Sequence, residues 1–116
     1  MLLCSGKIYY ELAAHREEAK RDDVAIIRLE QLHPLRRERL EAALSVYREG
    51  TPVFWVQEEP ANMGPWVYVR IHFGEALARR FRFGGITRAA SASPAGGSPK
   101  RHKQEQTEII ERAYSQ

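Results

Sequence analysis

Two adjacent carboxylates, Glu58 and Glu59, are the residues in this sequence best suited to chemistry. They directly follow the apolar run at residues 53–56, and a third carboxylate, Glu30, follows an earlier apolar run. Paired carboxylates can act as general acid and general base. They also stabilise helix N-termini or form salt bridges at interfaces, because the helix dipole attracts negative charge. The sequence supplies no companion nucleophile, so we favour the structural role and predict no catalytic residue in this chain.

The histidines and the single cysteine are the candidate metal ligands. Their spacing matches no zinc pattern, so we predict no metal site and interpret the histidines as surface or capping residues. With one cysteine and no signal peptide, no internal disulfide can form, and a cytosolic protein is the default expectation. The residues concerned are Cys4, His15, His33, His72 and His102.

Three segments could bind an anion. Ser5-Gly6-Lys7 occupies the position where a Rossmann-type fold holds phosphate at a helix N-terminus, but both glycine fingerprints are missing, which favours a plain turn. Residues 100–103 are basic without interleaved aromatic residues, which favours a solvated helix start over nucleic-acid binding. Arg36, Arg37 and Arg39 place positive charge against the dipole of a helix start. They form either a solvated basic face or a site for a phosphate-bearing ligand.

Short apolar runs alternate with longer amphipathic stretches, which predicts strands alternating with helices. Such alternation implies a parallel sheet with helices on both faces and right-handed crossovers. We therefore predict one three-layer α/β/α domain over residues 1–116, with a mostly parallel sheet. The predicted strands are residues 2–4, 24–27, 53–56 and 86–89, and the predicted helices are residues 7–20, 35–48, 65–80 and 100–114.

Proline, glycine and asparagine mark the expected boundaries. We expect Pro60 to end the third strand, so that residues 57–60 form an acidic loop. Asn62 is a suitable cap for the helix that follows. The pair Gly84-Gly85 predicts a turn before the last strand, and the small residues at 91–99 predict a flexible loop.

The carboxyl edge of the sheet is the expected functional surface, because ligands and partners of open α/β sheets gather there. Glu58, Glu59 and Asn62 should lie on this edge and face a neighbouring domain or subunit, or water in its absence. Burying two adjacent carboxylates without partners is costly. The helix residues expected to point inward are Ile8, Leu12, Ala13, Leu40, Ala43, Leu44, Tyr47, Val67, Ile71, Leu77, Ala78, Ile109, Ile110 and Ala113.

The composition is that of an ordinary soluble globular protein, with 43% hydrophobic and 28% charged residues among 116. The net charge of +3 permits an anionic partner without requiring one. No stretch is apolar for long enough to form a signal-peptide core or a membrane span, so we predict no membrane partner. The first predicted strand is short, and we expect the chain to continue upstream in a longer protein.

Four stretches, in this order along the chain, resemble one family. Together they cover essentially the whole sequence and are similar to the C-terminal domain of the thiamine diphosphate-dependent first component of the 2-oxoglutarate dehydrogenase complex. The stretches are LCSGKIYYEL (residues 3–12), VAIIRLEQLHPL (24–35), VFWVQEEPANMGPW (53–66) and ASASPAGGSPKRHKQEQ (90–106).

This resemblance implies a transketolase C-terminal-like fold, and a chain that is an inactive fragment of a longer enzyme. The parent would be a homodimer that decarboxylates 2-oxoglutarate in the tricarboxylic acid cycle and passes the succinyl group to a lipoyl-bearing succinyltransferase component. The resemblance places the parent in the bacterial cytoplasm or the mitochondrial matrix, and we favour the cytoplasm. Thiamine diphosphate and magnesium would be bound by the preceding domains, since this sequence lacks a G-D-G…N motif.

Actinobacterial members of the family add a regulatory expectation. The resemblance implies an allosteric acetyl-CoA site formed by the glutamine of an E-Q-L motif and two arginines after the next proline. The glutamine corresponds to Gln31, and the arginine positions fall at Glu38 and Arg39, with Arg37 one residue earlier. Gln31, Arg37 and Arg39 are therefore the expected ligand contacts.

Two other hypotheses stay open from the residues alone. The chain could be a free-standing module that binds a nucleotide or CoA, or a weak RNA-binding domain, which would show a salt-dependent affinity for RNA. A reading frame that continues upstream into thiamine-binding domains would favour the family hypothesis over both.

Overall fold

The computed structural model describes residues 1–30, 36–90 and 98–116, and in these ranges four strands alternate with four helices. This alternation is the one that the sequence predicts. The strands are β1 (Leu2–Cys4), β2 (Ile26–Arg28), β3 (Pro52–Pro60) and β4 (Arg82–Arg88), and the helices are α1 (Ile8–Glu18), α2 (Arg37–Leu44), α3 (Pro65–Arg80) and α4 (Pro99–Tyr114).

The strands form one parallel sheet in the order β2-β1-β3-β4, which confirms the predicted sheet. β1 is central, with Leu3 opposite Ile27 of β2 and Trp55 of β3. The chain adds β2 on one side of β1, and β3 and β4 on the other. This order creates a topological switch between β1 and β3, and a crevice is expected there at the carboxyl edge of the sheet.

Side chains alternate between the two faces of the sheet, and each face is covered by two helices. Leu2, Cys4 and Val56 pack with α1 and α4 in one core. Leu3 and Trp55 pack with α2 and α3 in the other core. The three predicted layers therefore form, with a separate apolar core on each side of the sheet.

The predicted acidic loop at residues 57–60 is wrong, because β3 continues through these residues to Pro60. The pairing with β4 is irregular between Val56 and Pro60, and Pro60 lies opposite Arg88. Pro60 has no N–H to donate to the neighbouring strand. The carbonyl of Arg88 accepts instead from the amide of Ala61 at 3.0 Å and is therefore satisfied.

The predicted turn at Gly84-Gly85 is also wrong, because both glycines lie inside β4. Both positions require glycine, because neighbouring aromatic rings leave too little room for a Cβ. A Cβ on Gly85 would lie 2.6 Å from Cε2 of Trp66, and a Cβ on Gly84 would lie 3.1 Å from Cε1 of Phe54. The strand predicted at residues 24–27 is observed as Ile26–Arg28 and is half-buried, because β2 forms an edge of the sheet.

The predicted inward face of α3 is wrong in part, because Leu77 is buried as predicted but Ile71 and Ala78 are exposed. Val69, Phe73 and Leu77 are buried, whereas Ile71 is 67% exposed. Apolar residues occur on more than one side of this helix, and the side that packs on the sheet cannot be identified from spacing alone. In α2, Leu40 and Leu44 are buried as predicted, but Ala43 is exposed.

Several predicted helix boundaries also change, and α1 ends at Glu18 rather than residue 20. α2 ends at Leu44 rather than residue 48, while the predicted start at residue 35 lies outside the described residues, as does most of the predicted loop at residues 91–99. α4 begins with Pro99, and the hydroxyl of Ser98 caps it by accepting from the amide of Arg101 at 3.0 Å. Among the described helices, none combines the length and apolar character that crossing a membrane requires.

Two glycines should respond in opposite ways to alanine. Gly85→Ala forces a Cβ against the ring of Trp66 and should destabilise the protein by about 1–3 kcal/mol. Gly74→Ala lies inside α3, where the new Cβ would be 3.7 Å from Cγ of Arg70, so it should stabilise by about 0.5–1 kcal/mol. Urea denaturation measures both free energies of unfolding, and a Gly85→Ala variant as stable as the unsubstituted protein would contradict the packing described for β4.

Candidate functional site at the carboxyl edge of the sheet

Polar residues that are adjacent in the sequence at the carboxyl end of β3 point to opposite faces of the sheet. Strand alternation sends Gln57 toward α3 and Glu58 toward α1 and α4. Glu59 follows on the same side as Gln57 and lies beside Gly64. The adjacent carboxylates therefore diverge to opposite faces. Glu30 is 78% exposed and lies 3.8 Å from the guanidinium of Arg28, at the far edge of the sheet.

Gln57 is buried at this edge, with 3% of its surface exposed. Its Oε1 accepts from the indole of Trp55 at 3.0 Å and from the amide of Trp66 at 2.7 Å. Its Nε2 donates to the carbonyls of Met63 at 2.8 Å and Pro60 at 3.0 Å, with that of Glu59 at 3.3 Å. The side chain of Gln57 thus uses its full hydrogen-bonding capacity.

Gln57 also replaces Asn62 as the cap of α3. The helix begins at Pro65 after Gly64, which has a φ of +66° and no side chain to act as a cap. The second helical amide, that of Trp66, is instead satisfied by the Oε1 of Gln57. Asn62 is exposed and precedes the helix start, so its predicted capping role is wrong. A cap from a neighbouring strand leaves no local sequence signal.

On the other face, Gln106 of α4 connects the acidic groups. Its Nε2 donates to Oε1 of Glu58 at 2.9 Å and to Oε2 of Glu11 at 2.5 Å. Its Oε1 accepts from Nη2 of Arg88 at 2.9 Å. The ammonium group of Lys7 lies 4.0 Å from Glu58. One amide on α4 therefore bridges two carboxylates and a guanidinium from three other elements, α1, β3 and β4.

Arg88 extends this network along α4. Its side chain is 8% exposed, and Nη1 lies 3.3 Å from Oε2 of Glu105. Glu105 in turn accepts from Nε of Arg101 at 3.1 Å. Within the described residues, Nε of Arg88 is buried without a hydrogen-bond partner. Positive and negative groups alternate through the network, which compensates its partly buried charges.

Sequence reasoning missed Gln106 and Arg88, although a signal for one of them exists. Gln106 lies on the same helical stripe as the buried residues Ile109 and Ala113. A polar residue on a buried stripe requires a partner, which indicates a network. The partner of Gln106 on β4, Arg88, could not be identified from helical spacing.

The predicted ligand residues of α2 do not converge in the described structure. Arg37 begins the helix, and its Nη2 donates to the carbonyl of His72 at 3.4 Å. Arg39 is exposed and lies about 200° around the helix from Arg37. Gln31 lies outside the described residues. The acetyl-CoA site therefore stays a prediction.

Cys4 does not behave as a nucleophile. It is fully buried in β1, and burial raises the pKa of its thiol to about 11, although the positive charge of Arg28 opposes this shift. The thiolate is the reactive form of cysteine. The thiol is therefore protonated at neutral pH and serves as a packing group.

Comparison with known proteins adds information about the whole chain. A family model described as 2-oxoglutarate dehydrogenase C-terminal matches residues 1–114. The multifunctional 2-oxoglutarate metabolism enzyme of Mycolicibacterium vanbaalenii is 49% identical over 115 residues, or 98% of this chain and 9% of that protein. The enzyme of the same name from Mycobacterium sp. strain JLS is 47% identical over 99% of this chain and 9% of its own length.

A third relative carries a different name. The 2-oxoglutarate dehydrogenase E1/E2 component of Corynebacterium glutamicum is 40% identical over 114 residues, which is 98% of this chain and 9% of that protein. The chain thus spans about 9% of the length of these curated relatives.

Gln57→Glu tests the amide cluster at the end of β3. The substitution places a carboxylate oxygen against carbonyl oxygens and should destabilise the protein by about 3 kcal/mol or more at pH 7. Burial and these carbonyls should raise the pKa of the introduced carboxyl in the folded protein. The destabilisation should therefore be smallest below about pH 4.3, the ordinary glutamate pKa, and grow as pH rises toward the folded-state pKa.

Urea denaturation at several pH values measures this effect relative to the unsubstituted protein. Gln104→Glu, on the exposed side of α4, is the matched control and should cost only about 0.5 kcal/mol or less, since it replaces a long hydrogen bond to Glu108 with a solvated like-charge pair. A Gln57→Glu penalty that is independent of pH would contradict the assigned orientation of the amide.

Proposed function

The chain belongs to the 2-oxoglutarate dehydrogenase C-terminal family, and from this membership we propose that it is the C-terminal domain of a larger enzyme that acts on 2-oxoglutarate. The observation that carries the proposal is the family match over residues 1–114. The names of the relatives and the small share of their length that the chain spans support a role as one domain among several.

The geometry of the carboxyl edge supports a structural role for this domain. The side chain of Gln57 is fully engaged by neighbouring indole and backbone groups. Glu58 and Arg88 are both held by Gln106. Groups that are engaged in this way stabilise the fold and are poorly suited to bind and release a substrate. We therefore assign decarboxylation, thiamine diphosphate and magnesium to the other domains of the parent enzyme.

In this proposal the parent enzyme is a cytoplasmic homodimer of the tricarboxylic acid cycle. It transfers a succinyl group to a lipoyl-bearing succinyltransferase component. The edge formed by Glu58, Glu59 and Asn62 faces a neighbouring domain or subunit. The exposure of Asn62 and the partial exposure of Glu58, whose side chain is 20% exposed, support this assignment.

We also propose that acetyl-CoA regulates the parent enzyme through Gln31, Arg37 and Arg39. The N-terminus of α2 carries partial positive charge that favours phosphate. Arg39 is exposed, and Arg37 makes one long hydrogen bond in the described structure. Both guanidinium groups can therefore reorient to make paired bonds to phosphate oxygens.

The domain proposal predicts that catalysis requires the rest of the enzyme. The 116-residue chain should release no carbon dioxide from 2-oxoglutarate in the presence of thiamine diphosphate and magnesium, whereas the full-length parent should. Carbon dioxide release measures both. Turnover by the 116-residue chain alone would contradict the proposal.

The regulatory proposal predicts that acetyl-CoA binding to the full-length enzyme weakens about tenfold or more in the double variant Arg37→Ala/Arg39→Ala. Calorimetric titration measures the affinity. Arg79→Ala is the control. Arg79 lies in the last turn of α3 and pairs with Glu75, whereas Arg37 contacts His72 near the middle of that helix. Equal affinity in the double variant would remove both arginines from the site. A lack of binding to the unsubstituted enzyme would mean that this lineage has no activator site.

A further inference from the structure

A groove runs between α2 and α3 on the surface of the domain and contains a partly open cavity of about 140 Å³. The floor of the groove is apolar and well packed, and no floor residue is more than 5% exposed. The floor residues are Leu40, Leu44, Phe73, Leu77 and Phe81.

Charged residues form the rim of the groove. Arg37 lies at one end, Arg80 at the other, and Glu41 between them. Arg80 is held by one hydrogen bond, from Nη2 to the carbonyl of Ser45 at 3.3 Å, and by stacking of its guanidinium over Phe81 at 5.3 Å from the ring centre. These two contacts hold the guanidinium of Arg80 beside the groove, while most of its five N–H donors stay available.

The two ends of the groove differ in charge. Glu41 lies one helical turn from Arg37 and offsets its charge. Arg79, the chain neighbour of Arg80, pairs with Glu75 at 2.9 Å. Arg80 has no carboxylate partner among the described residues. The Arg80 end is therefore an uncompensated cation beside apolar surface.

We propose that the Arg80 end of this groove binds a small carboxylate with an apolar body, while Arg37, the proposed acetyl-CoA contact, lies on the rim of the same groove. The carboxylate pairs with Arg80, because a guanidinium binds a carboxylate through two parallel bonds. The apolar body occupies the cavity, where it contacts the side chains of Leu44, Leu77 and Phe81. The cavity is close in size to the engineered cavity of about 150 Å³ that binds benzene, so a six-carbon body fits.

Benzoate is the test ligand, with benzyl alcohol as its neutral counterpart. Titration into the 116-residue chain should shift the methyl resonances of Leu40, Leu44 and Leu77, and benzoate should bind about tenfold more tightly than benzyl alcohol. Equal affinities for the two compounds, or no shift of these resonances with benzoate, would overturn the proposal.

Paired variants locate the carboxylate and the apolar body. Arg80→Gln should weaken benzoate binding about tenfold and leave benzyl alcohol binding unchanged, whereas the adjacent Arg79→Gln should change neither. Ala76→Met fills the groove and should abolish binding of both compounds, while Ala78→Met, on the exposed side of α3, should not. Unchanged benzoate binding in Arg80→Gln or in Ala76→Met would overturn the assignment.

Discussion

Burial of one amide near the end of β3 constrains the path of the chain from β3 into α3. An unsatisfied polar group in that position costs about 1–3 kcal/mol, so each hydrogen-bonding position of Gln57 must meet a partner. Its partners come from β3, from the turn that follows, and from the first turn of α3. The strand end, the turn and the helix start therefore form one unit, and a change in any of them is transmitted to the other two.

A second glutamine organises the opposite face of the same edge. Gln106 holds Glu11 and Glu58 together and is itself held by Arg88. The topological switch of an open α/β sheet is usually where a ligand binds. Here the polar groups near that switch are engaged with one another. The edge therefore joins the layers of the domain, and an accessible apolar groove occurs elsewhere, between α2 and α3.

The sequence predicts the layers of this fold better than its details. Apolar runs such as that of β3, and the alternation of strands with helices, depend on local composition and correctly indicate a parallel three-layer domain. The errors arise where a distant residue decides the outcome. Gly85 belongs to a strand because Trp66 needs its space. Gln57, rather than the nearby Asn62, caps α3.

Less of the candidate site than of the fold can be predicted from the sequence, because residues that are distant in the chain decide its contacts. Glu58 was identified from its position after an apolar run, but its partner Gln106 lies far away in the chain. The two carboxylates that are adjacent in sequence are separated by the alternation of the strand. Arg37 and Arg39 were grouped by motif, whereas helical geometry directs them to different sides of α2.

The central position of β1 has a consequence for how the chain folds during synthesis. Of the four described strands, β1 is made first, and β2 can cover one of its edges soon afterwards, but its other edge pairs with Phe54 and Trp55 of β3. Such distant parallel pairing is slow to form. An apolar strand edge therefore stays uncovered on the nascent chain until β3 leaves the ribosome, and an exposed edge of this kind favours pairing with other chains. This interval is the stage at which a chaperone would protect the domain most effectively.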